Sequence, residues 1–370
     1  MYRPVNKLTT ITTRVSLTTC CLVGQTTFLS STTDSLIKVS GLNAVGFNSG
    51  DCIMILYDMV AQIGYAILVI MDRGKFKEIK KAVIAVAGYG TRFLPATKNQ
   101  PKEMLPIIDK PIVQYLVEEC VESGIESIIM VTRFGQSVME NHFDSNIELE
   151  QQLKANGKLE MLKEVQRVSQ MANIVYARQR KHFPYGNATP LLAAKDLIDD
   201  DESFVFMWGD DLVKSEVPAT RQLIEAWKQT PEAIVLAAQE VSLDEVSRYG
   251  IVKLKKDSKN EIDSVVEKPD KETAPSRLAQ YGRFVLDHRI IEIVEENYKK
   301  NRLGKNGELW LTDAVQQFIQ QGGKAIVAPV KGKWMTTGDP LRYLQTTVEY
   351  ALDREDIGPE FKAYLKSLKL

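Results

Sequence analysis

Short apolar runs alternate along most of this chain with stretches whose apolar residues recur at helical spacing. Residues 82–87, Ala-Val-Ile-Ala-Val-Ala, read as a buried strand. Residues 127–132, 173–178, 204–208 and 233–238 repeat that character. Between them, 111–123 and 189–198 carry apolar positions on one helical face, and Gly124 is placed to end the first. Strand and helix in alternation predict an α/β fold, doubly wound around a mostly parallel, Rossmann-like sheet. Residues 144–170 read as two charged helical stretches broken near Asn156-Gly157. Residues 247–285 switch to short strands, a smaller β-rich part. Asp313 and Gln316 have capping-box spacing, predicting a helix over 314–321 that stops at Gly322-Gly323. Amphipathic helices are expected at 340–354 and 359–368, either packed on the domain or at a subunit contact.

The first seventy residues differ. Residues 1–50 are rich in Thr and Ser and lack sustained periodicity. Residues 52–70 are apolar enough to raise a membrane span, but nine Ile/Leu/Val residues give only about −4 kcal/mol against about +3 kcal/mol for Asp58. Insertion is marginal. The expectation is an extension over 1–70, disordered or lying upstream of a natural start at Met71, followed by a folded domain over 71–370.

Charge and cysteines narrow the chemistry. The 47 basic and 48 acidic side chains nearly cancel, which argues against a nucleic-acid surface. Of Cys20, Cys21, Cys52 and Cys120, only Cys120 falls after residue 71, so no disulfide or zinc framework is available there. Cys120 shares the apolar face of 111–123 and reads as core. His142, His182 and His288 have no metal-ligand spacing.

The end of the first strand carries the sharpest signal. Ala87-Gly88-Tyr89-Gly90-Thr91-Arg92 is a glycine turn with an arginine, and Pro101-Lys102-Glu103-Met104-Leu105-Pro106 follows. Gly88 and Gly90 suit a backbone that exposes N–H groups to phosphate. Arg92 and Lys102 add cations. No Gly-Lys-Ser/Thr follows, and Phe93 stands where a dinucleotide fingerprint needs a third glycine. Gly88–Arg92, Arg178-Gln179 and Gly209-Asp210-Asp211 all follow predicted strands, where ligands of such sheets sit.

These motifs resemble the sugar-1-phosphate nucleotidyltransferases. The resemblance continues through Leu94–Lys98, Asp109-Lys110-Pro111, Glu140–Asp144, Val266-Glu267-Lys268-Pro269 and Leu311-Thr312-Asp313-Ala314, and covers roughly residue 78 onward. It is nearest to members that join UTP and glucose 1-phosphate to give UDP-glucose and pyrophosphate. It implies that Ala87, Gly88, Gly90, Thr91, Gln179 and Gly186 bind nucleotide, with Gln179 at the pyrimidine edge. It implies catalytic roles for Arg92 and Lys102, a sugar-phosphate site at Gly250, Glu267 and Lys268, and Mg2+ on Asp210. Asp211 is left as a candidate helix cap, and Glu308 and Asp313 as structural residues or supports behind the site rather than catalytic ones. A second metal-binding aspartate is common in such proteins, but Thr336 stands at that place, leaving Asp339 or water as substitutes. The segment 184–189, Pro-Tyr-Gly-Asn-Ala-Thr, replaces a more glycine-rich one. A cytoplasmic homo-oligomer, dimer or tetramer, is the expectation, without nucleic-acid or membrane partners. Two other readings stay open: a thymidylyltransferase using dTTP, and a nucleotide-binding regulator that has lost catalysis.

Overall fold

The computed structural model describes residues 26–29, 36–39 and 76–368. Thr26–Leu29 (β1) pairs antiparallel with Leu36–Val39 (β2) in the unit Met1–Gly74. The apolar stretch 52–70 lies outside the described residues. Among those described, no helix is long and apolar enough to cross a membrane. The motifs all belong to the unit Lys75–Leu370.

Lys81–Ala85 (β3) is apolar because both of its faces are covered: Ala82, Val83 and Ile84 are buried. Pro106–Ile107 (β4) and Lys110–Pro111 (β5) form a small hairpin after the Lys102 motif. Ser127–Thr132 (β6), Asn173–Arg178 (β7) and Ser203–Trp208 (β8) complete a parallel set in the order β8–β3–β6–β7. Asp211–Lys214 (β9) leaves this sheet at once to pair with a strand near the C terminus. Ala233–Glu240 (β10), Gly250–Leu254 (β11), Ile262–Glu267 (β12) and Leu278–Asp287 (β13) extend the sheet beyond β8. β13 runs antiparallel to β8, β10 and β11. The last two strands are Lys324–Ala328 (β14), parallel to β10, and Lys333–Thr336 (β15), antiparallel to β9.

Alternate residues of the central strands feed two separate cores. Ile84, Met130, Met207 and Val285 face one side, under the helices Ile112–Glu122 and Ala219–Gln229. Val83, Ile129, Phe206 and Phe284 face the other, under Thr189–Ala194, His288–Lys299 and Leu311–Gln320. This is the doubly wound α/β arrangement the alternation predicts. Cys120 is a buried core residue, as expected.

Three local expectations need correction. The helix expected over 314–321 begins at Leu311, so Asp313 lies in its first turn and caps nothing. Gln316 instead accepts from the Val265 N–H at 2.8 Å. The helix over 189–198 stops at Ala194 and tightens into a 3-10 turn, Lys195–Leu197. Asp211 opens β9 and is not a helix cap. The closing helices are Pro340–Asp353, capped by the Asp339 side chain, and Gly358–Ser367.

Candidate active site

The carboxyl ends of β3, β7 and β8 meet the β11–β12 pair around a cavity of about 320 Å³. Ala87, Gly88, Arg92, Lys102, Gln179, Gly186, Asp210, Gly250, Glu267 and Lys268 all line it. Gly90 and Thr91 do not line it. Gly90 has φ +61° and shapes the turn from beneath: its carbonyl accepts from Thr97 Oγ1 at 2.8 Å. A Cβ on Gly90 would stand 3.1 Å from Thr97 and 3.2 Å from Lys102.

Lys102 and Asp210 meet at the cavity floor, Nζ to Oδ2 at 2.5 Å. Burial opposes charge on both, and their mutual attraction prevails. The Lys102 ammonium is held above its ordinary range and the Asp210 carboxyl below its own. Arg92 is exposed and donates from Nη1 to the Gly338 carbonyl at 3.1 Å. Asp211, one residue on, has a structural role. Its carboxylate accepts from the Gly282 N–H at 2.9 Å and from Trp334 Nε1 at 2.8 Å. Burial, then the charge of Asp210, pushes its carboxyl up.

The oxygen donors suit a hard divalent cation. Gly338 has no side chain where a Cβ would lie 3.1 Å from Asp210 Oδ2 and 3.4 Å from Thr336 Oγ1. One carboxylate, completed by phosphate oxygens and water, is a donor set Mg2+ accepts. Asp339 is not a spare ligand. It caps the last-but-one helix and pairs with Arg248 at 2.8 Å and Arg342 at 3.0 Å.

Gly250 lines the cavity, but its missing side chain serves a neighbour. A Cβ there would fall 2.4 Å from Gln280 Nε2. Lys268 adopts φ +43°, an uncommon backbone for a lysine, just after β12. Glu308, read as structural or as a support behind the site, lines the cavity and accepts from Trp310 Nε1 at 2.9 Å. Arg248, Trp208 and Tyr185 also line the cavity.

Glu103 escapes a sequence reading for a physical reason: a glutamate in a loop reads as solvated surface. Here it is 1% exposed and faces the cavity, and among the described residues its Oε2 has no hydrogen-bond partner. Burial pushes its carboxyl up to about 7, from 4.5. A raised carboxyl contributes fully below its unfolded value and loses that contribution as pH rises through about 7. The loss approaches roughly 3 kcal/mol by alkaline pH. Glu103→Gln is therefore expected to gain several degrees of Tm relative to the parent between pH 5 and pH 8.5, read by thermal melts. Parallel pH curves would contradict this.

The sequence profile described as Nucleotidyl transferase matches residues 81–352. The chain belongs to the nucleotidyl transferase family. It is 42% identical over 296 residues to UTP–glucose-1-phosphate uridylyltransferase 2 of Staphylococcus saprophyticus, covering 80% of this chain and 99% of that one. A UTP-bound UGPase from Acinetobacter baumannii superposes with a TM-score of 0.70 at 32% identity, covering 79% of this chain and all of that one. A UDP-glucose pyrophosphorylase complexed with UDP-glucose superposes with a TM-score of 0.65 at 35% identity, over 75% of this chain and 100% of the other.

Proposed function

We propose that this chain transfers a uridylyl group from UTP to glucose 1-phosphate, giving UDP-glucose and pyrophosphate. The observation that carries the reading is one cavity in which the Gly88 turn, the Lys102–Asp210 pair and the Glu267–Lys268 pair meet. The similar proteins named above are uridylyltransferases or UDP-glucose enzymes, which favours UTP over dTTP.

A sugar phosphate oxygen attacks the α-phosphorus in line with the departing pyrophosphate. A phosphate monoester is mostly dianionic at pH 7, so no general base is required. The protein's task is to hold two anions together and neutralise charge. Lys102 bridges the phosphates of the two substrates, and Arg92 meets those that depart. Gln179 offers its amide to the uracil edge, donating to O4 and accepting from N3–H. Glu267 accepts from sugar hydroxyls, and Lys268 meets the sugar phosphate. Asp210 is the residue that would hold Mg2+. When bound, the ion would supply positive charge to the phosphate oxygens.

Pyrophosphate release with Mg2+, glucose 1-phosphate and UTP, dTTP, CTP or ATP in turn tests this. Release with UTP above the others is expected; release with none would sink the proposal. Gly186→Ala supplies a local check. Gly186 has φ +144°, and a Cβ there would lie 2.1 Å from the Leu309 carbonyl oxygen. The variant is expected to bind UTP at least ~10-fold more weakly in calorimetry, because this segment must move off Leu309. Unchanged affinity would remove Gly186 from the nucleotide site.

A further inference from the structure

The carboxylate of Glu267 is held by a chain of side chains that reaches it from behind. Thr312 Oγ1 donates to Glu267 Oε2 at 2.5 Å. Gln280 Nε2 donates to Thr312 Oγ1 at 2.9 Å. Gln280 is 0% and Thr312 1% exposed, and the Glu267 side chain is 5% exposed. The three residues come from β13, the first turn of the helix Leu311–Gln320, and the end of β12.

The chain has a direction. An amide N–H can only donate, so Gln280 occupies an acceptor position on the hydroxyl and leaves its proton for Glu267. A hydrogen bond onto a charged acceptor is stronger than a neutral one, which fixes the carboxylate plane. Oε1 is then the oxygen left toward Lys268, whose Nζ is 3.4 Å away. Gly250 completes the arrangement by leaving room for the Gln280 amide.

We propose that Gln280 and Thr312 are positioning residues that aim the Glu267 carboxylate at a sugar hydroxyl. The inference rests on the uridylyl-transfer reading and deepens its sugar site.

Steady-state kinetics on the full chain test it. Thr312→Val removes the donor at nearly constant volume. It is expected to raise KM for glucose 1-phosphate about tenfold, with a smaller change in kcat and none in KM for UTP. Thr312→Ser restores the donor and should return KM to within about threefold of the parent. In a Glu267→Ala background, adding Thr312→Val should change KM less than about twofold. A purely structural role would cost the same factor in both backgrounds and would move both substrates, and that result overturns the proposal. Should Thr312→Val not fold, Gln280→Met provides the second variant. A rise in the same KM supports the relay, and no change overturns it. A parent protein that releases no pyrophosphate from UTP would overturn the functional reading and the relay together. A parent that turns over normally beside an unaffected Thr312→Val would overturn the relay alone.

Discussion

Lys102→Ala is expected to lower turnover by about 10²–10³-fold, the usual cost of losing one preorganised charge donor at a reacting centre. The ammonium sits at the cavity floor, its side chain 18% exposed, and meets Asp210 at 2.5 Å. Water entering the vacated space screens charge but does not replace a fixed cation. The loss should fall mainly on kcat, because the charge is needed most when pyrophosphate departs. A second consequence comes from the paired carboxyl. Burial raises Asp210 and Lys102 lowers it, so removing Lys102 leaves burial less opposed. The Asp210 carboxyl rises, and the acid limb of the pH–rate profile should move toward higher pH. Pyrophosphate release at saturating UTP and glucose 1-phosphate measures both. Turnover within tenfold of the parent would remove Lys102 from its assigned role. Arg92 is exposed, so its charge is better screened before substrate arrives. Its alanine variant should still lose about 10²-fold.

Much of the site was legible because it follows strands. The apolar run over 82–87 and its glycines announce a buried strand and a tight turn, and β3 does end there. Asp210 and Gln179 stand at the ends of β8 and β7 for the same reason. What lay hidden depends on contacts between distant residues. Lys102 and Asp210 are 108 positions apart, and nothing local signals that they touch. Gly250 lines the cavity, and the room left by its missing side chain is taken by the Gln280 amide, from another strand. β13 is buried along nearly its whole length. Such a run reports burial on both faces but not whether its neighbours are parallel or antiparallel. Asp211 has the composition of a turn or cap, and only the β9–β15 pairing shows it opening a strand.

Arg283→Leu carries the largest expected effect on stability. Arg283 is fully buried in β13, and its guanidinium forks onto Glu119 of the helix Ile112–Glu122, Nε to Oε1 at 2.9 Å and Nη2 to Oε2 at 2.7 Å. Glu119 Oε1 also accepts from the Thr220 N–H at 3.0 Å and its hydroxyl at 2.6 Å. The pair ties one helix and the start of another to the sheet, beside Gly282, whose N–H holds Asp211. Removing the arginine strands a buried carboxylate, at a cost of about 3–5 kcal/mol. In a domain of this size that corresponds to a fall in Tm of roughly 6–20 °C. Burial raises the Glu119 carboxyl, and Arg283 then Thr220 bring it below its ordinary value. A depressed carboxyl stabilises above its unfolded value near 4.5 and loses that contribution as pH falls through the lower folded value. The gap between parent and variant should therefore narrow in acid. Glu119→Gln/Arg283→Leu removes the stranded charge while keeping an acceptor for Thr220, and should recover a large part of the loss. Thermal melts of the three proteins at pH 7 and pH 4 decide it. A single variant within about 2 °C of the parent at pH 7, less than about 1 kcal/mol, would show that the pair contributes little.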